Sequence, residues 1–185
     1  VYDLADPKFI VGAGMSIQSA IGAVTTRNTV LENHPEGIFF GGDIYDSTIT
    51  IENNLIQSCY GEDGIDFYNE VDYIVYSRIV IENNRIINNP GTYAVDLDTS
   101  IYSSEIVIVG NTIDNNGYDG IFWGLIEDSH VLIENNSISN NDDGIYFDYD
   151  VDATGVVVNY NNIVNNVDYG AYNDGVGDLD ATLNW

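Results

Sequence analysis

The chain repeats itself. The tetrapeptide Ile-Glu-Asn-Asn occurs at Ile51–Asn54, Ile81–Asn84 and Ile133–Asn136, with looser copies at Ile108–Asn111 and Val158–Asn161. Aligning the copies places Asn28, Asn54, Asn84, Asn111, Asn136 and Asn161 in one column, at intervals of 26, 30, 27, 25 and 25 residues. Five residues on, a second column holds Asn33, Cys59, Asn89, Asn116, Asn141 and Asn166. Three to five residues later a third column holds Gly37, Gly64, Ala94, Gly120, Gly144 and Gly170, and Gly14 fits it one copy earlier.

Apolar residues alternate around these columns. Ile49/Ile51, Ile79/Ile81, Ile106/Ile108, Val131/Ile133 and Val156/Val158 precede the first column, and Val30, Ile56, Ile86, Ile113, Ile138 and Ile163 follow it. Ile38/Phe40, Ile65/Phe67, Val95/Leu97, Ile121/Trp123 and Ile145/Phe147 follow the third column. A period of two marks strands. Strands that recur every 24–30 residues require an architecture in which each copy is one layer of a stack. A right-handed parallel β-helix satisfies all columns at once. Its coils lie about 4.8 Å apart, so like residues sit over like. Ile and Val then fill the bore, and Asn tolerates left-handed corners and hydrogen-bonds along the stack. Gly is expected to supply corners with positive φ.

The predicted fold is all-β: one solenoid domain of about six to seven coils of 24–30 residues. Residues 1–22 form an N-terminal coil or cap, 23–169 the regular coils, and 170–185 an incomplete last coil. The wider spacing around Gly64–Tyr93 predicts extra residues bulging out near Glu70–Tyr76.

Charge narrows the partners. There are 30 acids and 4 bases, a net charge of −26. Phosphate contacts need Lys and Arg, so nucleic acid is excluded as a partner. Anionic lipid is disfavoured for the same reason, and no apolar run is long enough for a membrane-inserted helix. The single cysteine, Cys59, cannot form an intrachain disulfide; it reads as a small corner residue or an intermolecular thiol. The near absence of Lys and the start at Val1 suggest a processed or partial chain working outside the cell or at its surface.

The phrase IENNxIxNNxxGIxF resembles the repeats of the NosD-like and pectate-lyase-like right-handed β-helix superfamily, over about Gly14 to Trp185. That resemblance implies the fold. It also implies a choice among polysaccharide lyases, hydrolases, epimerases and surface proteins. The closing segment Ala181–Trp185 resembles the strand that ends repeat blocks in archaeal surface members.

The residues favour no enzyme of that set. A lyase needs Arg or Lys among calcium-binding acids, and only Lys8, Arg27, Arg78 and Arg85 are available. Asp142-Asp143 lacks the His-Gly and Arg-x-Lys partners of a hydrolase, and His34 and His130 sit in ordinary turn or strand-edge contexts. The outward residues after the third column are more suggestive. They read Phe39, Asp66, Asp96, Phe122, Tyr146 and Tyr172, with Tyr68, Asp98, Asp148 and Asp174 two further on. Phe39, Tyr68, Phe122, Tyr146 and Tyr172 thus mark a face for carbohydrate, for assembly, or for plain β-propensity. Asp148, Asp150 and Asp152 alternate, and their crowded oxygens suit calcium.

The sequence therefore points to a non-enzymatic extracellular structural protein, a module of a surface layer, sheath, filament or adhesin. It requires no cofactor, with calcium as a candidate ligand. Its expected partners are identical subunits or further coils of a longer chain. The alternative is a carbohydrate-binding or carbohydrate-active β-helix with a polysaccharide partner. A cleft with converging buried carboxylates would favour that alternative.

Overall fold

The computed structural model describes residues 2–3, 13–17, 20–27, 30–32, 35–67, 73–91, 93–148, 151–152 and 154–185; before residue 35 it describes backbone alone, apart from Thr26. Asn28, Tyr68 and Asp150 lie outside the described residues.

Every strand pairing among the described residues is parallel, and each links one coil to the next. The strands fall into three sheets that form the sides of a solenoid. The first contains Ala20–Arg27, Ile44–Glu52, Arg78–Glu82, Glu105–Val109, His130–Glu134 and Val156–Asn159, in that stacking order. The second contains Val30–Glu32, Leu55–Gln57, Arg85–Ile87, Thr112–Asp114, Ser137–Ser139 and Asn162–Val164. The third runs from Ala13–Ile17 through Glu36–Phe40, Ile65–Asp66, Val95–Leu97, Ile121–Trp123 and Ile145–Phe147 to Ala171–Asn173. About five coils carry all three sheets with described side chains, slightly fewer than the spacing predicts. Ala20–Arg27 and Val30–Glu32 extend the stack as backbone.

The apolar columns fill the bore in the predicted register. Ile51, Ile81, Ile108, Ile133 and Val158 stack rung on rung, each fully buried. Phe40, Phe67, Leu97, Trp123 and Phe147 form another inward row, with Phe40 and Phe67 stacked at 4.3 Å and Trp123 and Phe147 at 5.8 Å. The lowest coil departs from the alignment. Leu31, not Val30, pairs with Ile56, and Val30 pairs with Leu55. The predicted bulge near Glu70–Tyr76 falls in part on a strand. Tyr73–Val75 is a regular strand in register with Ser100–Tyr102, and residues 70–72 lie outside the described residues.

Each Asn-Asn pair divides its labour. The first residue is left-handed: Asn53, Asn83, Asn135 at the first corner and Asn88, Asn115, Asn140, Asn165 at the second, with φ of 55–58°. The second points inward and bonds along the stack. Asn111 Oδ1 accepts from the Asn84 backbone N–H at 2.8 Å and from Asn84 Nδ2 at 3.1 Å. Asn111 Nδ2 donates to the Ile81 carbonyl at 2.8 Å and to Asn136 Oδ1 at 3.0 Å. The ladder runs through Asn54, Asn84, Asn111, Asn136 and Asn161 and gains a further rung in Asn184. A parallel ladder joins Cys59, Asn89, Asn116, Asn141 and Asn166.

The third-column glycines correct an expectation. Positive φ among glycines falls at Gly110 and Gly177, not in that column. Small size is needed there because the coils touch. A Cβ on Gly144 would lie 2.3 Å from the Gly170 carbonyl oxygen and 2.7 Å from Ile163 Cγ2.

Replacing Asn111 by Ala takes the acceptor from the buried Asn84 N–H and one donor from the Ile81 carbonyl. Unmade buried hydrogen bonds cost about 1–3 kcal/mol each, partly relieved by relaxation. Urea denaturation of Asn111→Ala should therefore show a loss of roughly 2–4 kcal/mol. Thr112→Ala, on the outer surface one residue away, should stay within about 0.5 kcal/mol.

Candidate functional site

The outer face of the third sheet holds the predicted row in register. Phe39 pairs with Asp66, Asp66 with Asp96, Asp96 with Phe122, Phe122 with Tyr146 and Tyr146 with Tyr172. The row has two chemically distinct halves.

The upper half is aromatic. Phe122 stacks on Tyr93 at 4.7 Å and on Tyr146 at 5.5 Å, with interplanar angles of 23° and 13°. Tyr172 follows at 5.3 Å from Tyr146 and stacks on Tyr169 at 4.8 Å. Sheet spacing places aromatic rungs face to face along the rod. Tyr93, Phe122, Tyr146, Tyr169 and Tyr172 each have a ring face stacked on a neighbouring ring.

The lower half is acidic and, against expectation, buried: Asp66 and Asp96 are each 2% exposed. Carboxylate oxygens of Asp63, Asp66 and Asp96 lie within 4.8 Å of one another, and so do those of Glu36, Glu62 and Asp66. Asp63 reaches the cluster because it belongs to a ladder not visible in the aligned columns. Asp63 Oδ1 accepts from the Tyr93 N–H at 2.6 Å, Asp119 Oδ1 from the Asp143 N–H at 3.0 Å, and Asp143 Oδ1 from the Tyr169 N–H at 2.7 Å. The available signal was Asp-Gly-Ile, present at Asp63–Ile65, Asp119–Ile121 and Asp143–Ile145.

Burial pushes these carboxyls up. Asp63 rises to about 8, through desolvation and then the Asp96 charge. Desolvation first, then neighbouring acids, lift Asp96 to about 7. Glu36 reaches about 7 through desolvation and its contact with Glu62. Asp119 rises to about 6, chiefly by desolvation. Such a cluster either shares protons or holds a hard cation, and oxygen donors at this separation fit calcium.

The acids chosen from sequence for calcium lie elsewhere. The Val151 N–H donates to the Asp148 carbonyl at 3.0 Å. Thr154 holds the Asp152 carboxyl below the usual range, first through its hydroxyl and then through its N–H, which donates to Asp152 Oδ1 at 3.0 Å. Asp150 is outside the described residues. Cys59 is fully buried, and burial raises its thiol to about 12, so it cannot reach another chain.

A third corner was also missed. Ser47, Ser77, Ser104 and Ser129 form a serine ladder, each backbone N–H donating to the next hydroxyl at 3.0–3.1 Å. The residues before them, Asp46, Tyr76, Ser103 and Asp128, are left-handed, with φ of 45–51°. The device repeats the Asn corners with a smaller side chain.

These features define a parallel β-solenoid whose side chains bind coil to coil. A family model described as right handed beta helix region matches residues 12–184. The chain belongs to the right-handed β-helix family. Compared with curated proteins and with solved structures, it has no significant match.

The raised carboxyls set the pH response. The fold holds protons that the unfolded chain releases near pH 4, so stability is full below about pH 4 for this term and is lost as pH rises toward 8. The melting temperature should fall from pH 5 to pH 8, and the slope should be shallower in Asp63→Asn, whose amide oxygen still accepts from Tyr93. An unchanged slope in that variant would show that Asp63 does not carry the effect and leave it to Asp96, Glu36 and Asp119.

Proposed function

We propose that the chain is a structural β-solenoid module of the cell exterior, a subunit or segment of a surface layer, sheath, filament or adhesin. The observation that carries this reading is the set of ladders. Asn, Ser and Asp side chains at the corners of successive coils are bound to the next coil, and the third-sheet rings are bound to one another. The chemistry present is used for stiffness along one axis.

Partners follow from the exposed edge. The third sheet ends at Ala171–Asn173, beside a hollow lined by Ala171 and the exposed Trp185. An open edge accepts another strand, supplied by further coils or by a second copy. Calcium or salt would screen the acidic flanks during such contact. Extracellular modules bind calcium at about 0.1–1 mM. Sedimentation velocity and electron microscopy across that range should show oligomers or fibres that a chelator shortens. A strictly monomeric chain at high concentration, with and without calcium, would defeat this reading.

A second reading rests on the Asp63, Asp66 and Asp96 cluster. A carboxyl that keeps its proton near neutral pH suits a general acid, and converging carboxylates favour a carbohydrate-active site. Incubation with neutral and uronate polysaccharides, followed by assay of reducing ends and unsaturated products, separates the two. The structural reading expects no turnover. Turnover that disappears in Asp96→Asn would replace it with a carbohydrate-active function.

A further inference from the structure

Asparagine serves the stack at most corners, and one copy of it is placed differently. Of the 23 asparagines, Asn135 alone begins an Asn-x-Ser/Thr triplet, Asn135-Asn136-Ser137. Such a triplet is the acceptor pattern for an N-linked glycan where x is not proline and the asparagine lies at the surface. Three residues match easily by chance, so the placement of the triplet must carry the argument.

The fold separates the three side chains. Asn136 points inward and holds the ladder. Asn135 is exposed, at a left-handed corner with a φ of 57°. Ser137 opens the strand Ser137–Ser139 on its outer side, because the next residue, Ile138, is fully buried. The acceptor amide and the hydroxyl therefore both face out. The Asn135 side chain is also idle, with no hydrogen bond among the described residues. Other left-handed asparagines are tied to neighbouring coils. Asn115 Nδ2 donates to Asn88 Oδ1 at 2.8 Å, and Asn140 Nδ2 donates to Asp114 Oδ1 at 2.7 Å. A sugar on a ladder asparagine would break the stack, whereas one on Asn135 breaks no bond.

The neighbours along the rod favour the same position. The column at this corner is Asn53, Asn83, Gly110, Asn135, Tyr160 and Leu183, all with positive φ. Val109 pairs with Glu134, and Glu134 with Asn159, so Gly110 lies one rung before Asn135 and Tyr160 one rung after. Gly110 presents no side chain on its flank. Tyr160 presents a ring that is 46% exposed and that stacks on no other ring among the described residues. Its φ of 57° is costly for a bulky side chain, where other coils use Asn or Gly. Asn83 shows which way the column leans: its Oδ1 lies 2.6 Å from where a Cβ on Gly110 of the next coil would be. The same lean in Asn135 aims its amide at the space beside Tyr160. An aromatic face covers the apolar face of a sugar ring.

We infer that Asn135 is the acceptor for an N-linked glycan whose first sugar rests against Tyr160. In the transfer, Nδ2 forms a bond to the anomeric carbon of a lipid-linked sugar phosphate. The bond from that carbon to the phosphate oxygen breaks, the phosphate leaves with the electron pair, and Nδ2 gives up one proton. The donor is met on the export route, so the inference rests on the exterior placement proposed above. A glycan here keeps the corner between the first and second sheets clear, and leaves the third sheet and the ends of the rod for contact between subunits.

Secretion of the full chain from a eukaryotic host that performs N-glycosylation supplies that route whatever the native compartment. Peptide mass spectrometry of the secreted chain should place a glycan on Asn135. Asn135→Asp, which tolerates the left-handed corner, and Ser137→Ala should both lose it while keeping the circular dichroism of the parent. Ser137→Thr should keep it. Enzymatic removal of the glycan should lower the melting temperature of the parent by about 2 °C or more. The drop should be smaller in Tyr160→Asn, which puts at this corner the residue type of Asn53 and Asn83. A folded, secreted chain without sugar on Asn135, a glycan that survives Ser137→Ala, or an equal drop in Tyr160→Asn would overturn the inference. None of these outcomes bears on whether subunits assemble, so a failure here leaves the structural reading standing.

Discussion

A buried amide with nowhere to go but its own copy in the next coil is the interaction on which this molecule rests. Asn136 illustrates it. Its Oδ1 receives the Asn111 N–H at 2.9 Å, and its Nδ2 donates to the Ile108 carbonyl at 2.9 Å and to Asn161 Oδ1 at 3.0 Å. The side chain satisfies backbone groups that a tight corner would otherwise bury unpaired. It does so only if the next coil offers the same residue at the same height. Register follows from that demand. A slip of one residue would move an asparagine out of the stack and an isoleucine out of the bore together. The apolar filling supplies the larger share of burial, but burial alone is indifferent to which isoleucine lies over which.

How much of this was legible depended on how a residue's role maps onto its type. The two Asn ladders and the Ile columns were visible because one side chain dominates each column. The serine and aspartate ladders were not, since Ser and Asp are common in turns and the aspartate column is interrupted by Tyr93 and Tyr169. Glycine was located but misjudged. Column position shows that only a small residue is accepted, whereas the cause, a carbonyl of the next coil and not positive φ, lies in three dimensions. The buried acids were hidden for a related reason. Alternation places Asp66 and Asp96 outward, and outward means solvent only where nothing covers the sheet. Tyr93 and Asp63 crowd them from the preceding corner, a contact between segments of different phase that a column alignment does not display.

The two faces of the rod show how one repeat yields different surfaces. On the third sheet, aromatic rungs close on each other and acids close on each other, so the face is self-satisfied. At the first-sheet bend the left-handed residues Asp46, Tyr76, Ser103 and Asp128 line a hollow together with Thr48, Arg78, Glu105 and His130. Concavity, not residue type, makes the difference: both faces carry Tyr and Asp. Substituting the outward residues changes such a surface without touching the ladders beneath it, which makes a solenoid a tolerant scaffold for function.

Repetition also carries an electrostatic cost that explains the uneven placement of charge. Stacking aligns like with like, and Glu52 lies directly over Glu82. Two unit charges about 4 Å apart in water repel by about 1 kcal/mol. Rung spacing is shorter than the Debye length of about 8 Å at physiological salt, so adjacent rungs stay partly unscreened. The chain relieves this in three ways. It interrupts columns, as Val109 does between Glu82 and Glu134. It places the rare cation where it pairs across coils, as Arg78 does with Glu105. And it holds protons on the acids that are buried, where ionisation would be most costly. Each device acts between neighbouring coils, so the same stacking that makes the rod stiff also decides where its charge can remain.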